Sequence, residues 1–230
     1  FFGLIFSADG VSPDPKKVEA LKVASPPQSA SEVRSLLGMA TFSARFIPDM
    51  ATLTEPLRRL TIKDVPFIWT EEQDESLQAL KDALSSETVM SYYDGTRNTE
   101  VWVDASPVGL GAILVQQDKS GNRRNVCYVS RALTPTESRY SQIEREALAI
   151  VWAVQRLHLY VYGMEFTVVT DHKPLVPIFN KPQMNPSARI KSWLLKTQGY
   201  TMTVQYRAGK DNPADYMSRH PNVERKPDRS

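Results

Sequence analysis

Residues 98–117 read NTEVWVDASPVGLGAILVQQ. Apolar side chains alternate there, Val101 and Val103 in one run and Leu110, Ala112 and Leu114 in the next, the period of two that turns one face of a β-strand toward a core. A third run, Val126–Ser130, follows the turn-like stretch Lys119–Asn125, and three short strands so close together predict an antiparallel meander. Further along, a long helix is expected over Ser138–Tyr160. A fourth strand is expected over Phe166–Thr170 after Gly163 and a fifth over Thr201–Tyr206, with helical segments between and after them. The order predicts an α/β fold: a mixed five-stranded sheet with helices packed on it.

Upstream, the pattern is helical. An opening strand at Phe2–Phe6, turn chemistry in Asp9-Gly10 and Ser12-Pro13, and a break at Pro26-Pro27 come first. Ser29 with Glu32 then gives a capping-box spacing, followed at helical intervals by Val33, Leu36, Leu37, Ala40 and Phe46, with Pro48 expected to end the helix. Thr70 with Gln73 opens a second helix, Glu71–Ser85, whose Leu77, Leu80 and Leu84 make one core-facing stripe. The change of period near Asp94-Gly95 divides the chain. A smaller, mostly helical region is expected over 1–95, the sheet domain over 96–220, and a disordered tail over 221–230, where mixed charges and prolines offer little to bury.

With 230 residues and 41% of them hydrophobic, the composition is that of a folded chain. Charge is unevenly spread. Residues 1–97 carry 10 Lys and Arg against 14 Asp and Glu, whereas residues 98–220 carry 15 against 10, so the second half suits a polyanionic partner. The single cysteine, Cys127, excludes an internal disulfide framework and is expected as packing in a reducing compartment. No apolar run approaches the ~20 residues of a membrane span, and FFGLIFSADG lacks a secretion signal's basic start and cleavage pattern. An intracellular location, cytoplasm or nucleus, is therefore expected, with no membrane partner and with Phe1 as a cut within a longer protein. No feature specifies an oligomeric state.

Four carboxylates stand out. Asp104 lies within an apolar strand, where an isolated charge is expensive and calls for pairing, solvent or metal. Asp171 closes the fourth strand in VVTDH, at a carboxyl end where sheet proteins place ligands. Asp215 lies just inside the last helix, in DNPADYMSR. The fourth is either Glu144 or Glu146, which cannot both face the sheet. Against the stripe Ile143, Ala147, Ile150, Val154 and Leu157, Glu146 falls about 60° from the centre and Glu144 about 100° away, so Glu146 is chosen and Glu144 is read as a solvent-facing or helix N-terminal charge. Carboxylates are hard ligands suited to Mg²⁺, and two such ions about 3.5–4 Å apart activate water and stabilise the leaving oxygen in phosphodiester cleavage. His158, His172 and His220 are scattered, and no HExxH, CxxC or glycine-rich phosphate loop occurs, so zinc and nucleotide-loop chemistry are set aside.

The sequence resembles the ribonuclease H region of gypsy-type LTR retrotransposon reverse transcriptases. The resemblance rests on VDAS with GLGAILVQ, SRALTPTESRYSQIEREALAIVWAV, VYGMEF, VVTDHKPL and RAGKDNPADYMSR, in that order. It implies that Asp104, Glu146, Asp171 and Asp215 bind two Mg²⁺ ions, for which Mn²⁺ substitutes. Upstream, FFGLIFSADGVSPDPKKVEALK, SEVRSLLGMATFSARFIPDMATLTEPL and FIWTEEQDESLQALKDAL resemble the end of the polymerase palm, the thumb and the connection. The polymerase metal segment of YxDD type has no counterpart, so DNA synthesis is not expected of this chain. The histidine that some ribonucleases H carry shortly before the last aspartate is also absent, with Arg207 and Lys210 nearest.

The expectation is an endoribonuclease that hydrolyses the RNA strand of an RNA/DNA hybrid, with an upstream polymerase domain as partner. His172 is a candidate for orienting substrate. Arg189, Lys191, Lys196, Arg207 and Lys210 are candidates for backbone phosphates, with the 2′-hydroxyls distinguishing RNA. Trp193 is expected in the core. The alternative is a catalytically inactive remnant that binds nucleic acid or protein.

Overall fold

The computed structural model describes residues 3–85, 89–181 and 183–208. A hairpin opens it, β1 (Leu4–Ser7) antiparallel to β2 (Gly10–Pro13). Five helices follow: α1 (Pro15–Lys22), α2 (Ala30–Phe42), α3 (Met50–Leu53), α4 (Glu55–Arg59) and α5 (Glu71–Ser85). Then come β3 (Thr99–Ala105), β4 (Gly109–Gln117), β5 (Arg123–Ala132), α6 (Gln142–Arg156), α7 (His158–Val161), β6 (Glu165–Thr170), α8 (Leu175–Asn180), α9 (Ala188–Thr197) and β7 (Thr201–Tyr206). The sheet runs β5-β4-β3-β6-β7; β3–β4 and β4–β5 are antiparallel, β3–β6 and β6–β7 parallel. This is the mixed five-stranded sheet with flanking helices that the periodicity predicts.

Local chemistry sets the boundaries. Ser29 Oγ accepts the Glu32 N–H at 3.2 Å, and the Thr70 hydroxyl donates to Gln73 Oε1 at 2.6 Å, so both expected caps form. Other boundaries differ. The opening strand runs Leu4–Ser7 rather than Phe2–Phe6, and Ser12-Pro13, expected as a turn, belongs to β2 because it pairs with Leu4 and Ile5. The third strand is longer than Val126–Ser130 because its turn is tight: Asp118 Oδ1 accepts the Ser120 and Asn122 N–H groups, each at 2.9 Å. The helix expected over Ser138–Tyr160 is a 3-10 turn at Glu137–Arg139, then α6, then α7. Its start is fixed by Ser141, whose N–H and hydroxyl donate to Glu144 Oε2 at 3.1 and 3.0 Å. Finally, α2 ends at Phe42 rather than Pro48, and Phe46 lies in a separate 3-10 turn, Ala44–Phe46. The periodicity had joined residues of two cores.

Three cores are present among the described residues. On one face of the sheet, Val101, Val103, Leu110 and Leu114 pack on Ala147, Ile150, Val154 and Leu157 of α6 and its end. On the other face, Trp102, Ile113, Val115, Tyr128 and Val169 pack on Val11, Phe46 and Met90. The remaining core, with Val33, Leu36, Leu57, Leu77 and Leu80, holds the N-terminal helices together. The N-terminal region therefore covers part of the sheet that α6 does not. Among the described residues, no helix is long and apolar enough to cross a membrane.

Candidate active site

Parallel pairing brings the first two acids together. Trp102 is level with Val169 in the β3–β6 ladder, so two residues further on Asp104 and Asp171 emerge side by side at the carboxyl ends of adjacent strands. Glu146 comes from the first turns of α6, on the side facing the sheet. One carboxylate oxygen from each of Asp104, Glu146 and Asp171 lies within 4.8 Å of the others. The helical-wheel choice between the two glutamates is resolved by burial: Glu146 is 3% exposed, whereas Glu144 serves the cap of α6 and pairs with Arg189 at 2.7 Å.

The electrostatics of this trio are unfavourable for the protein alone. Burial, and then the neighbouring charges of Asp104 and Asp171, push the Glu146 carboxyl up to about 8 against a small opposing pull from Arg145. Its Oε2 is buried with no hydrogen-bond partner among the described residues. A buried acceptor left without a donor is costly, and three acids converging on one point repel. A hard divalent cation relieves both problems, and the donor set, all carboxylate oxygen, fits such an ion. Asp104 is further oriented by the Ala105 N–H, which donates to its Oδ1 at 2.9 Å.

The other expected site residues take separate positions. His172 uses its backbone, its N–H donating to Thr170 Oγ1 at 3.1 Å and its carbonyl accepting the Leu175 N–H at 3.0 Å. Arg189 lies 4.1 Å over the Tyr140 ring while holding Glu144, which ties α9 to the start of α6. Lys191 and Lys196 are exposed on α9, and Trp193 is buried beside Tyr140 as expected. Arg207 pairs with Glu100 at 3.6 Å and rests on Trp102; Arg123 also binds Glu100, at 2.8 and 3.2 Å, and contacts the same ring. Glu100 is buried and accepts the Trp102 indole N–H at 2.7 Å, a network that local sequence did not signal. Lys210 and Asp215 lie outside the described residues.

Residues 94–200 match the family described as RNase H-like domain found in reverse transcriptase. Nearly the whole chain is similar to retrotransposon polyproteins. It is 37% identical over 234 residues to the retrovirus-related Pol polyprotein from transposon opus of Drosophila melanogaster, covering 96% of this chain and 23% of that protein. With the corresponding polyprotein from transposon gypsy of the same species it is 35% identical over 233 residues, covering 95% and 22%. The chain thus spans about a fifth of the length of these relatives. In shape it is similar to the foamy viral protease-reverse transcriptase in complex with RNA/DNA hybrid, with a TM-score of 0.70 and 21% identity, covering 100% of this chain and 31% of that one. That likeness is one of fold.

Proposed function

We propose that this chain, whose residues 94–200 match the RNase H-like domain found in reverse transcriptase, is a retrotransposon ribonuclease H that hydrolyses the RNA strand of an RNA/DNA hybrid with Mg²⁺. The observation that carries the proposal is the convergence of Asp104, Glu146 and Asp171 around the buried Glu146 Oε2, which has no hydrogen-bond partner among the described residues. Asp104, Glu146 and Asp171 would hold the metal, with Asp215 completing the set and Mn²⁺ substituting. Two such ions would activate the attacking water and stabilise the leaving oxygen.

The chain's own residues do the rest. Glu146 sits on the buried side of the site, and the partly exposed ends of β3 and β6 leave the other side open to a duplex. Arg189, Lys191 and Lys196 on α9, with Arg207 and Lys210 beyond β7 in sequence, are the candidates for phosphate contact, giving a salt-dependent grip, and His172 is the candidate for orienting substrate. The region over 1–95 is, in this reading, the end of the palm, the thumb and the connection. The upstream polymerase would then deliver the hybrid. A labelled RNA/DNA hybrid, incubated with Mg²⁺ and the full chain, tests the proposal against Asp104→Asn and against single-stranded RNA. Cleavage confined to the hybrid and lost in the variant supports it. A folded chain that retains the hybrid on a gel without cutting it identifies a binding remnant instead.

A further inference from the structure

Hydrolysis alone does not account for two glycines two residues apart at the start of β4, a strand paired on both sides, Gly109 and Gly111. Glycine weakens a strand interior and marks a place where another part of the chain approaches closely. Residues two apart share a face, and here that face receives the turn leading into α3. A methyl group on Gly109 would come within 3.0 Å of Thr52 Oγ1 and 3.4 Å of Ala51 Cβ, and one on Gly111 would overlap the Asp49 carboxylate. Asp49 reaches over the strand from a left-handed backbone conformation, φ 42° and ψ 37°, which Asp and Asn tolerate better than most residues. Two hydrogen bonds complete the docking: the Ala51 N–H donates to Ser130 Oγ at 3.1 Å, and the Thr52 and Ser106 hydroxyls meet at 2.9 Å.

These contacts fall on both sides of Asp104. Gly111 is its partner across the β3–β4 ladder. Ser106, two residues beyond it, closes the following turn by accepting the Val108 and Gly109 N–H groups at 3.2 and 2.8 Å. Asp49 and Asp104 also line one small cavity with Trp102, Gly111 and Tyr128. Carboxylates gathered this closely disfavour one another's charged forms, so their spacing benefits from a restraint outside the three acids. We propose that the Asp49–Thr52 turn is that restraint: a positioning element that sets Asp104 against Glu146 and Asp171, with Gly109 and Gly111 as its seat. The inference rests on the hybrid-cutting reading and adds a part of the N-terminal region to the nuclease.

The test uses the full chain with Gly111→Ala, Asp49→Ala and Asp49→Asn, alongside Asp104→Asn. Mg²⁺ alone is titrated by calorimetry, kcat and KM are measured on a labelled hybrid, and melting temperatures check folding. Gly111→Ala and Asp49→Ala are expected to weaken Mg²⁺ and lower kcat by roughly tenfold each, the size of an outer-shell defect at a metal site, with KM for the hybrid unchanged. Asp49→Asn keeps the shape and is expected to restore both. Should Gly111→Ala fail to fold, Thr52→Val, which removes only the bond to Ser106, carries the same expectation. Parental kcat and Mg²⁺ affinity in these variants, or an Asn variant as impaired as the Ala variant, overturns the positioning role. If Asp104→Asn still abolishes cutting in that case, the nuclease reading survives. A parent that neither binds Mg²⁺ nor cuts overturns both.

Discussion

Replacing Glu146 with Gln should stabilise the metal-free protein, and by an amount that grows with pH. The side chain is 3% exposed, and its carboxyl is pushed up to about 8 from an ordinary value of 4.5 by burial and by the charges of Asp104 and Asp171. Between those two values the folded chain keeps the proton and the unfolded chain releases it. Folding therefore opposes ionisation, and stability falls as pH rises through this window. Each pH unit above 4.5 costs about 1.4 kcal/mol, so at pH 7 the penalty is about 3 kcal/mol. Glu146→Gln removes the ionisation and keeps the shape. At about 2–4 °C per kcal/mol for a chain of this size, the variant should melt about 6–12 °C higher at pH 7 in the presence of a chelator, with no difference below pH 4.5. Added Mg²⁺ should raise the melting temperature of the parent more than that of the variant, since only the parent offers the Glu146 carboxylate. Thermal melts from pH 4.5 to 8, with and without chelator, read all of this. A difference between parent and variant that stays flat across that range would refute the reasoning.

Other expectations rest on neighbouring contacts. Glu100→Gln should cost about 2 kcal/mol in urea unfolding, because Arg123 and Arg207 lose their shared anion while both retain some contact with solvent; an unchanged midpoint contradicts this. Glu137 is held down to about 2, first by its hydrogen bonds from Arg131 and then by the Thr134 N–H and the Arg131 charge, against the upward push of burial. Its folded value lies below its unfolded one, so its contribution is present above pH 4.5 and disappears as pH falls toward 2. The melting difference between parent and Glu137→Gln should shrink over that interval. Burial pushes the Cys127 thiol up to about 11, so a thiol reagent at pH 8 should label it only after denaturant is added. Rapid labelling of the native protein would mean that β5 opens readily.

Asp104 and Asp171 were legible because each interrupts or closes an apolar strand, and a carboxylate in that setting requires a reason. Glu146 was legible because α6 is regular enough for a 100° step to separate it from Glu144. Period two gave the strands, and caps at Ser29 and Thr70 gave two helix starts. What escaped depends on approach between elements distant in sequence. The pairing of Arg189 with Glu144, on another helix, has no local signature. Local sequence is equally silent on the pairing of Arg207 with the buried Glu100 of β3, over the Trp102 ring. Phe46 fitted the period of α2, but the chain turns before it and carries it to the sheet. Nothing local in Asp49 announces its proximity to Gly111. The two glycines were the available signal, since two of them on one face of a strand mark where something must sit close.

The outer face of the sheet also constrains how this protein can be divided. Trp102, Ile113 and Tyr128 owe their dryness to Val11, Phe46 and Met90. A chain begun at residue 94 would turn those rings and methyl groups into a contiguous sticky surface of the kind through which proteins self-associate. A piece for expression that keeps this face covered therefore includes the N-terminal hairpin. A foreign sheet domain joined at the seam would have to bring the same glycine-bearing floor with it.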